Sequence, residues 1–174
     1  TNASTSITVA GGPLLINTFI TITSTDQTRK RYISITEDHG SIANGTILAA
    51  GHNPDGVRVM SANDYRVGMI AFMLGGNAAD AATMLAAAIN HANGHNQGVA
   101  NKKIRITNNA AGKLTLEQVM KGAAGNTPVQ AFGRPGYNQR ITVENSAFTR
   151  GLDGSVTKFL GVLDSSRGKS GYSA

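Results

Sequence analysis

The sequence predicts an α+β fold: an antiparallel β-sheet or sandwich of short strands, with one Ala-rich amphipathic helix, about residues 77–93, packed on it. Two observations carry the prediction. Short segments in which β-branched residues alternate with polar ones recur along the 174-residue chain, bounded by Gly, Pro, Asn or Asp. One stretch instead repeats its apolar residues at three- and four-residue spacing, the period of a helix. The length suits a single domain that buries roughly 70% of its unfolded surface, enough to hold a core without a disulfide or metal. The chain has no Cys, which excludes disulfide scaffolds, Cys-ligated zinc, iron–sulfur centres and thiol nucleophiles.

Residues 1–5 are small and polar and read as an N-terminal arm; Ile7 and Val9 then alternate with Ser6 and Thr8 as a first short strand. Phe19-Ile20-Thr21-Ile22-Thr23 and Tyr32-Ile33-Ser34-Ile35-Thr36 predict an antiparallel hairpin that buries Ile20, Ile22, Ile33 and Ile35 on one face. Residues 46–50 and 57–60 flank Asn53-Pro54-Asp55-Gly56, a turn sequence, and read as a second hairpin. In the helix, Ala78, Ala81, Ala82, Leu85, Ala88, Ile89 and Ala92 form the apolar stripe. Asn77 is its N-cap, Asp80 meets the positive end of the helix dipole, and Gly94 is a left-handed terminator. A stripe made mostly of Ala lets the helix lie close and flat on a sheet. Lys103-Ile104-Arg105-Ile106-Thr107 and Leu114-Thr115-Leu116-Glu117-Gln118 form a further hairpin with Ile104, Ile106, Leu114 and Leu116 inside. Gly122 to Gly136 holds too many breakers for a regular element, and residues 139–144 are a last strand. From Thr149 the chain is rich in Gly and Ser around one apolar cluster, Phe159, Leu160, Val162 and Leu163. The organisation is therefore an arm at 1–5, one domain at 6–148 and a C-terminal arm at 149–174.

Charge and motifs exclude more than they assign. The net charge is +6, from 16 Lys+Arg against 10 Asp+Glu. Its two basic runs, Arg29-Lys30-Arg31 and Lys102-Lys103-Arg105, lack the aromatic platforms or basic recognition helix of a nucleic-acid module, so the charge serves attraction to an acidic partner surface and no direct nucleic-acid contact is expected. His91 and His95 have i, i+4 spacing, yet Ala92 stands where a zinc protease needs Glu. They read as a solvated helix C-terminus, and no metal or cofactor is expected. Glu37-Asp38 point to opposite faces of a strand, and Asp55 and Asp153 lie in turns, so no carboxylate pair for hydrolysis emerges. Arg167-Gly168-Lys169-Ser170 ends like a phosphate loop, but Leu163 replaces its first Gly and no helix follows. No Gly-x-Ser-x-Gly elbow is present. No run reaches the ~18 apolar residues of a membrane span, and the first residues have neither the basic nor the apolar region of a signal peptide.

Asn77-Ala78-Ala79-Asp80-Ala81-Ala82, Leu85-Ala86-Ala87-Ala88-Ile89-Asn90, Leu114-Thr115-Leu116-Glu117-Gln118 and Gly122-Ala123-Ala124-Gly125-Asn126-Thr127 follow one another in an order that resembles a domain recurring in structural proteins of tailed-bacteriophage virions. In that domain an Ala-rich helix ending in Ala-Ile-Asn precedes a hairpin whose second strand reads Leu-Thr-Leu-x-Gln. A Gly-x-x-Gly-Asn-Thr loop follows, then a strand leading to Phe-x-x-Gly, echoed here by Phe148-Thr149-Arg150-Gly151. The match covers somewhat under half of the chain. Residues 42–73 are longer than the compact hairpin of the domain, and the segment holding Phe159-Leu160 and Tyr172 has no counterpart in it.

The resemblance implies a virion component without enzymatic activity, assembled in the host cytoplasm. The expectation is a capsid decoration or cement-type protein that stabilises the particle as an oligomer, through arm and strand-edge contacts with major capsid or tail subunits, with no membrane partner. Phe159, Leu160, Val162 and Leu163 are the expected docking patch. The alternative is a tail-fibre or baseplate module that binds a host-surface glycan. Such a site usually offers an exposed aromatic beside carboxylates or amides, and an aromatic content of 5% without Trp argues against it.

Overall fold

The computed structural model of the chain describes residues 1–11, 16–36, 42–97, 102–133 and 140–152. Among them the order is β1 (Asn2–Val9), β2 (Phe19–Thr23), β3 (Arg29–Ile35), β4 (Ile70–Met73), α1 (Ala78–Asn90), β5 (Ile104–Asn108), β6 (Lys113–Lys121), β7 (Val129–Phe132) and β8 (Ile141–Val143). The strands form two four-stranded sheets, ordered β5-β6-β1-β8 and β4-β3-β2-β7. Every pairing is antiparallel except β3 with β4. The protein is thus α+β, with one helix packed on sheets.

The main core joins the inner faces of both sheets. Ile7 and Val9 from β1, Ile104 from β5, Leu114 and Leu116 from β6 and Ile141 from β8 meet Ile20 and Ile22 from β2, Tyr32 from β3, Phe72 from β4 and Val129 from β7. Each such side chain contributes about 1.5–3 kcal/mol through the apolar surface it removes from water. Residues 2–5 correct the predicted arm. They are the first half of β1, an inner strand between β6 and β8, with Ala3 and Thr5 buried in the same alternation as Ile7 and Val9. Small side chains look like a tail in sequence, but at this position they let other segments approach closely.

The β2–β3 hairpin forms in a register that corrects its predicted face. Ile20 lies opposite Tyr32 and Phe19 opposite Ile33, so Ile20 and Ile22 point with Tyr32 into the main core. Ile33 and Ile35 lie on the other face. A one-residue difference in register moves a whole set of side chains across the sheet. Both faces are apolar because the long connection to β4 covers the outer one with Ile42, Leu48, Met60 and Met69. That connection also corrects the second hairpin: residues 45–48 run along the free edge of β4, through Gly45 N–H to Ala71 O, Ala71 N–H to Thr46 O and Leu48 N–H to Met69 O. Val57 and Val59, which carried the strand reading, are exposed. β4 itself is an unbroken apolar run between Gly68 and Gly75. Its alternation is invisible because both of its faces are buried, as is usual for strands in parallel pairing.

Helix α1 starts as predicted, with the Asn77 side chain accepting from the Asp80 N–H at 2.9 Å. Its buried face is Ala81, Ala82, Leu85, Ala88 and Ile89, packed against strands of both sheets rather than flat on one. Ala92 is exposed beyond the helix end. Gly94 is needed for closeness, not handedness: a Cβ there would sit 2.3 Å from Ala88 O and 2.4 Å from Ile89 O. The β5–β6 hairpin forms as predicted, with Ile104, Leu114 and Leu116 fully buried and Ile106 packed at the margin. Within 122–136, a 3₁₀ turn at Ala123–Gly125 and the strand β7 fit between the breakers, which corrects the reading of that segment as irregular. Among the described residues, no helix is long and apolar enough to cross a membrane.

Candidate functional site

The three later motifs, at residues 114–118, 122–127 and 148–151, converge in space. Gln118, on the inner face of β6 and fully buried, uses its whole side-chain amide. Oε1 accepts from Thr25 N–H at 3.0 Å and Thr25 Oγ1 at 3.1 Å, and Nε2 donates to Thr23 O and Thr127 Oγ1, both at 3.0 Å. One glutamine thereby joins the sheet holding β6 to the end of β2 in the other sheet. Thr127 Oγ1 donates its own hydrogen bond to Thr23 O. Asn126 next to it clamps Gly151 from both sides: Gly151 N–H donates to Asn126 Oδ1 at 2.9 Å and Asn126 Nδ2 donates to Gly151 O at 3.2 Å. A Cβ on Gly151 would lie 2.2 Å from Gly122 O, so only Gly fits. Phe148 is buried and donates its N–H to Thr127 O at 2.8 Å. These residues form a lock between the sheets and residues 148–151, all of it backbone and neutral polar chemistry.

Residues 149–152 belong to this lock. Ser4 and Thr149 exchange two backbone bonds, of 2.9 and 3.0 Å, and Leu152 N–H reaches Thr1 Oγ1. The predicted C-terminal arm boundary at 149 therefore lies inside the folded unit. Phe159, Leu160, Val162 and Leu163 fall outside the described residues.

The two basic runs meet at one end of the molecule, around His95, but alternation splits the first. Lys30 shares the inner face with Ile22, while Arg31 lies opposite Thr21 on the other. Lys30 Nζ donates to Asn93 O at 2.7 Å, Lys103 Nζ pairs with Asp26 at 2.8 Å, and Arg105 pairs with Glu117. Lys103 and Ser24 hold the Asp26 carboxyl well below the usual carboxylate range. His95 corrects the solvated-terminus reading. It is fully buried, with Nε2 3.1 Å from Thr28 O and Nδ1 2.7 Å from Tyr32 Oη. The carbonyl can only accept, so Nε2 carries the hydrogen and Nδ1 accepts from the phenol. Burial pushes its pKa down to about 4 and pushes that of Tyr32 up. His91, by contrast, is exposed and accepts at Nδ1 from Asn93 N–H. Among the described residues, no three His, Asp or Glu side chains group to hold a metal ion.

A third assembly was not legible as a unit in the sequence. Arg66 is buried below the surface of the long connection and forks onto Asp64, Nε to Oδ1 and Nη2 to Oδ2, both at 2.9 Å. Its Nη1 donates to Asp55 Oδ2 at 2.8 Å and to Asn17 Oδ1 at 3.1 Å, and Asn17 Nδ2 donates back to Asp55 at 3.0 Å. Such a bidentate, cross-linked guanidinium orders irregular backbone that has no ladder of its own. Hydrogen bonding to Arg66 keeps Asp64 below its ordinary pKa. Burial would raise Asp55, yet the bonds from Asn17, Val57 N–H and Arg66 outweigh it and lower it too. Above the cluster stands Tyr65, half exposed, beside Asn63 and Arg58 on the wall of a depression of about 520 Å³. Tyr65 continues into Phe19, centroids 6.4 Å apart, which stacks on Phe132 at 4.7 Å. Low aromatic content concealed the fact that three of the few aromatic rings share one face.

Scanned against family models, curated proteins and solved structures, the chain matches none of them.

Proposed function

We propose that the chain is a non-enzymatic structural component of a tailed-phage virion, a capsid decoration or cement-type subunit that acts as an oligomer beside major capsid or tail subunits. The observation that carries this reading is the lock. The later motifs that resemble the virion domain, scattered in sequence from Leu114 to Gly151, close on one another through Gln118, Asn126, Thr127 and Phe148. A set of motifs with that role is a fold signature, and its chemistry is cohesion rather than catalysis. The edge strands support the reading as well. β7 and β8 are the outer strands of their sheets on one side and flank a shallow cleft, with Phe132 exposed beside it. Strand edges and exposed aromatics are surfaces that lattice neighbours cover.

The test is location. Antibody raised against the purified chain should label tailed particles at regular positions in negative-stain electron microscopy, and label confined to host debris overturns the proposal. Light scattering on the purified chain should return an oligomer; a monomer at every concentration overturns the self-assembling form.

A further inference from the structure

We propose that the depression between residues 54–58 and 61–66 binds a neutral sugar ring, with the C–H face of the ring against Tyr65 and its hydroxyls donating to Asp55 and Asp64. This goes beyond the structural role and does not depend on it.

Five features point there. The volume, about 520 Å³, lies in the ~300–1,000 Å³ range of small-ligand sites. One wall is an aromatic ring half open to solvent on a chain with four Tyr and no Trp, and the negative face of such a ring attracts the weakly positive C–H groups of a sugar. The floor holds acceptors with capacity to spare. Asp55 Oδ1 is engaged by Val57 N–H and Asp64 Oδ2 by Arg66 Nη2, while each carboxylate oxygen has about two lone-pair sites. Their side chains keep 11% and 18% exposure, so hydroxyls can reach them. The charges also cancel, with Arg58 and Arg66 against Asp55 and Asp64. A cation would find carboxylates already neutralised by Arg66, and an anion would meet their oxygens. A neutral hydroxyl donor suits both. The acceptors are preorganised, because the buried Arg66 fork fixes them before any ligand arrives.

Saturation-transfer NMR on the full chain tests this with methyl hexopyranosides and neutral oligosaccharides of glucose, galactose, mannose and N-acetylglucosamine. Transfer should favour the C–H protons of one ring face, and the bound sugar should shift the signals of Tyr65 and of the backbone from Asp55 to Arg66. Tyr65→Ala should weaken binding by about tenfold or more, whereas Tyr65→Phe keeps the ring and should stay within about twofold. Met120→Ala, at an exposed apolar residue elsewhere, should bind as the parent does. The shift map needs no variant, so it decides the matter even if Tyr65→Ala fails to fold. No transfer from any neutral sugar, shifts confined to another surface, or binding restricted to acidic sugars and abolished by Arg58→Ala would each overturn the proposal. Sugar binding without antibody label on particles would keep this inference and sink the virion assignment, and the reverse result would do the opposite.

Discussion

Gln118 is the residue on which the two sheets depend most directly. Ala in its place would take the acceptor from Thr25 N–H and Thr25 Oγ1, leave Thr23 O and the Thr127 hydroxyl with only each other, and open a cavity. The expected cost is about 3 kcal/mol, read as a lower urea midpoint. His95 sets a pH dependence. Its ring faces Tyr32 and Thr28, with Lys30, Lys103 and Asp26 close by. Folding lowers its pKa from 6.5 to about 4, so between those values the unfolded chain binds the extra proton and stability rises with pH. Stability should be complete above pH 6.5 and fall by about 1.4 kcal/mol per pH unit on acidification towards pH 4. Denaturation series across that range check this, and His95→Gln should flatten the slope.

Among the elements, α1 shows how far local rules reach. The cap at Asn77, the first-turn Asp80 and the Ala stripe were legible because they depend on neighbours three or four residues away. The role of Gly94 was not, because it is set by how closely residues 91–96 fold back over Ala88 and Ile89. Gly94→Ala should therefore cost about 1–3 kcal/mol even though Ala favours helices, whereas a residue needed only for its left-handed φ would lose less. Thermal unfolding followed by circular dichroism separates the outcomes. Strand alternation likewise revealed β2, β3, β5 and β6, but β4, buried on both faces, has no alternation to read.

At the scale of the whole molecule, the N-terminal residues meet residues 149–152. Residues 1–5 and 149–152, which read as arms, pair with each other and with the Asn126 loop. Two truncations are compared, one after residue 152 and one after residue 148. Removing 149–174 should cost a further 2–4 kcal/mol or so, since it opens the Ser4 pair and the Asn126 clamp. If only the longer truncation abolishes assembly, the lock matters to assembly through folding. If the shorter one does so too, with folding intact, docking belongs to the segment containing Phe159 and Leu160.

The class of fold, the helix with its N-cap and the β5–β6 hairpin are legible in the amino-acid order, because period and capping are local physics. The sequence also carried the motif order in full, but without the reason for it. Only the folded chain settles the β2–β3 register, the placing of residues 2–5 in the sheet with 149–152 beside them, the burial of His95 and the gathering of Asn17, Asp55, Asp64 and Arg66 beneath Tyr65. Each of these depends on which distant segment covers a given face or edge. A partner tens of residues away leaves no periodic trace in the stretch that it covers.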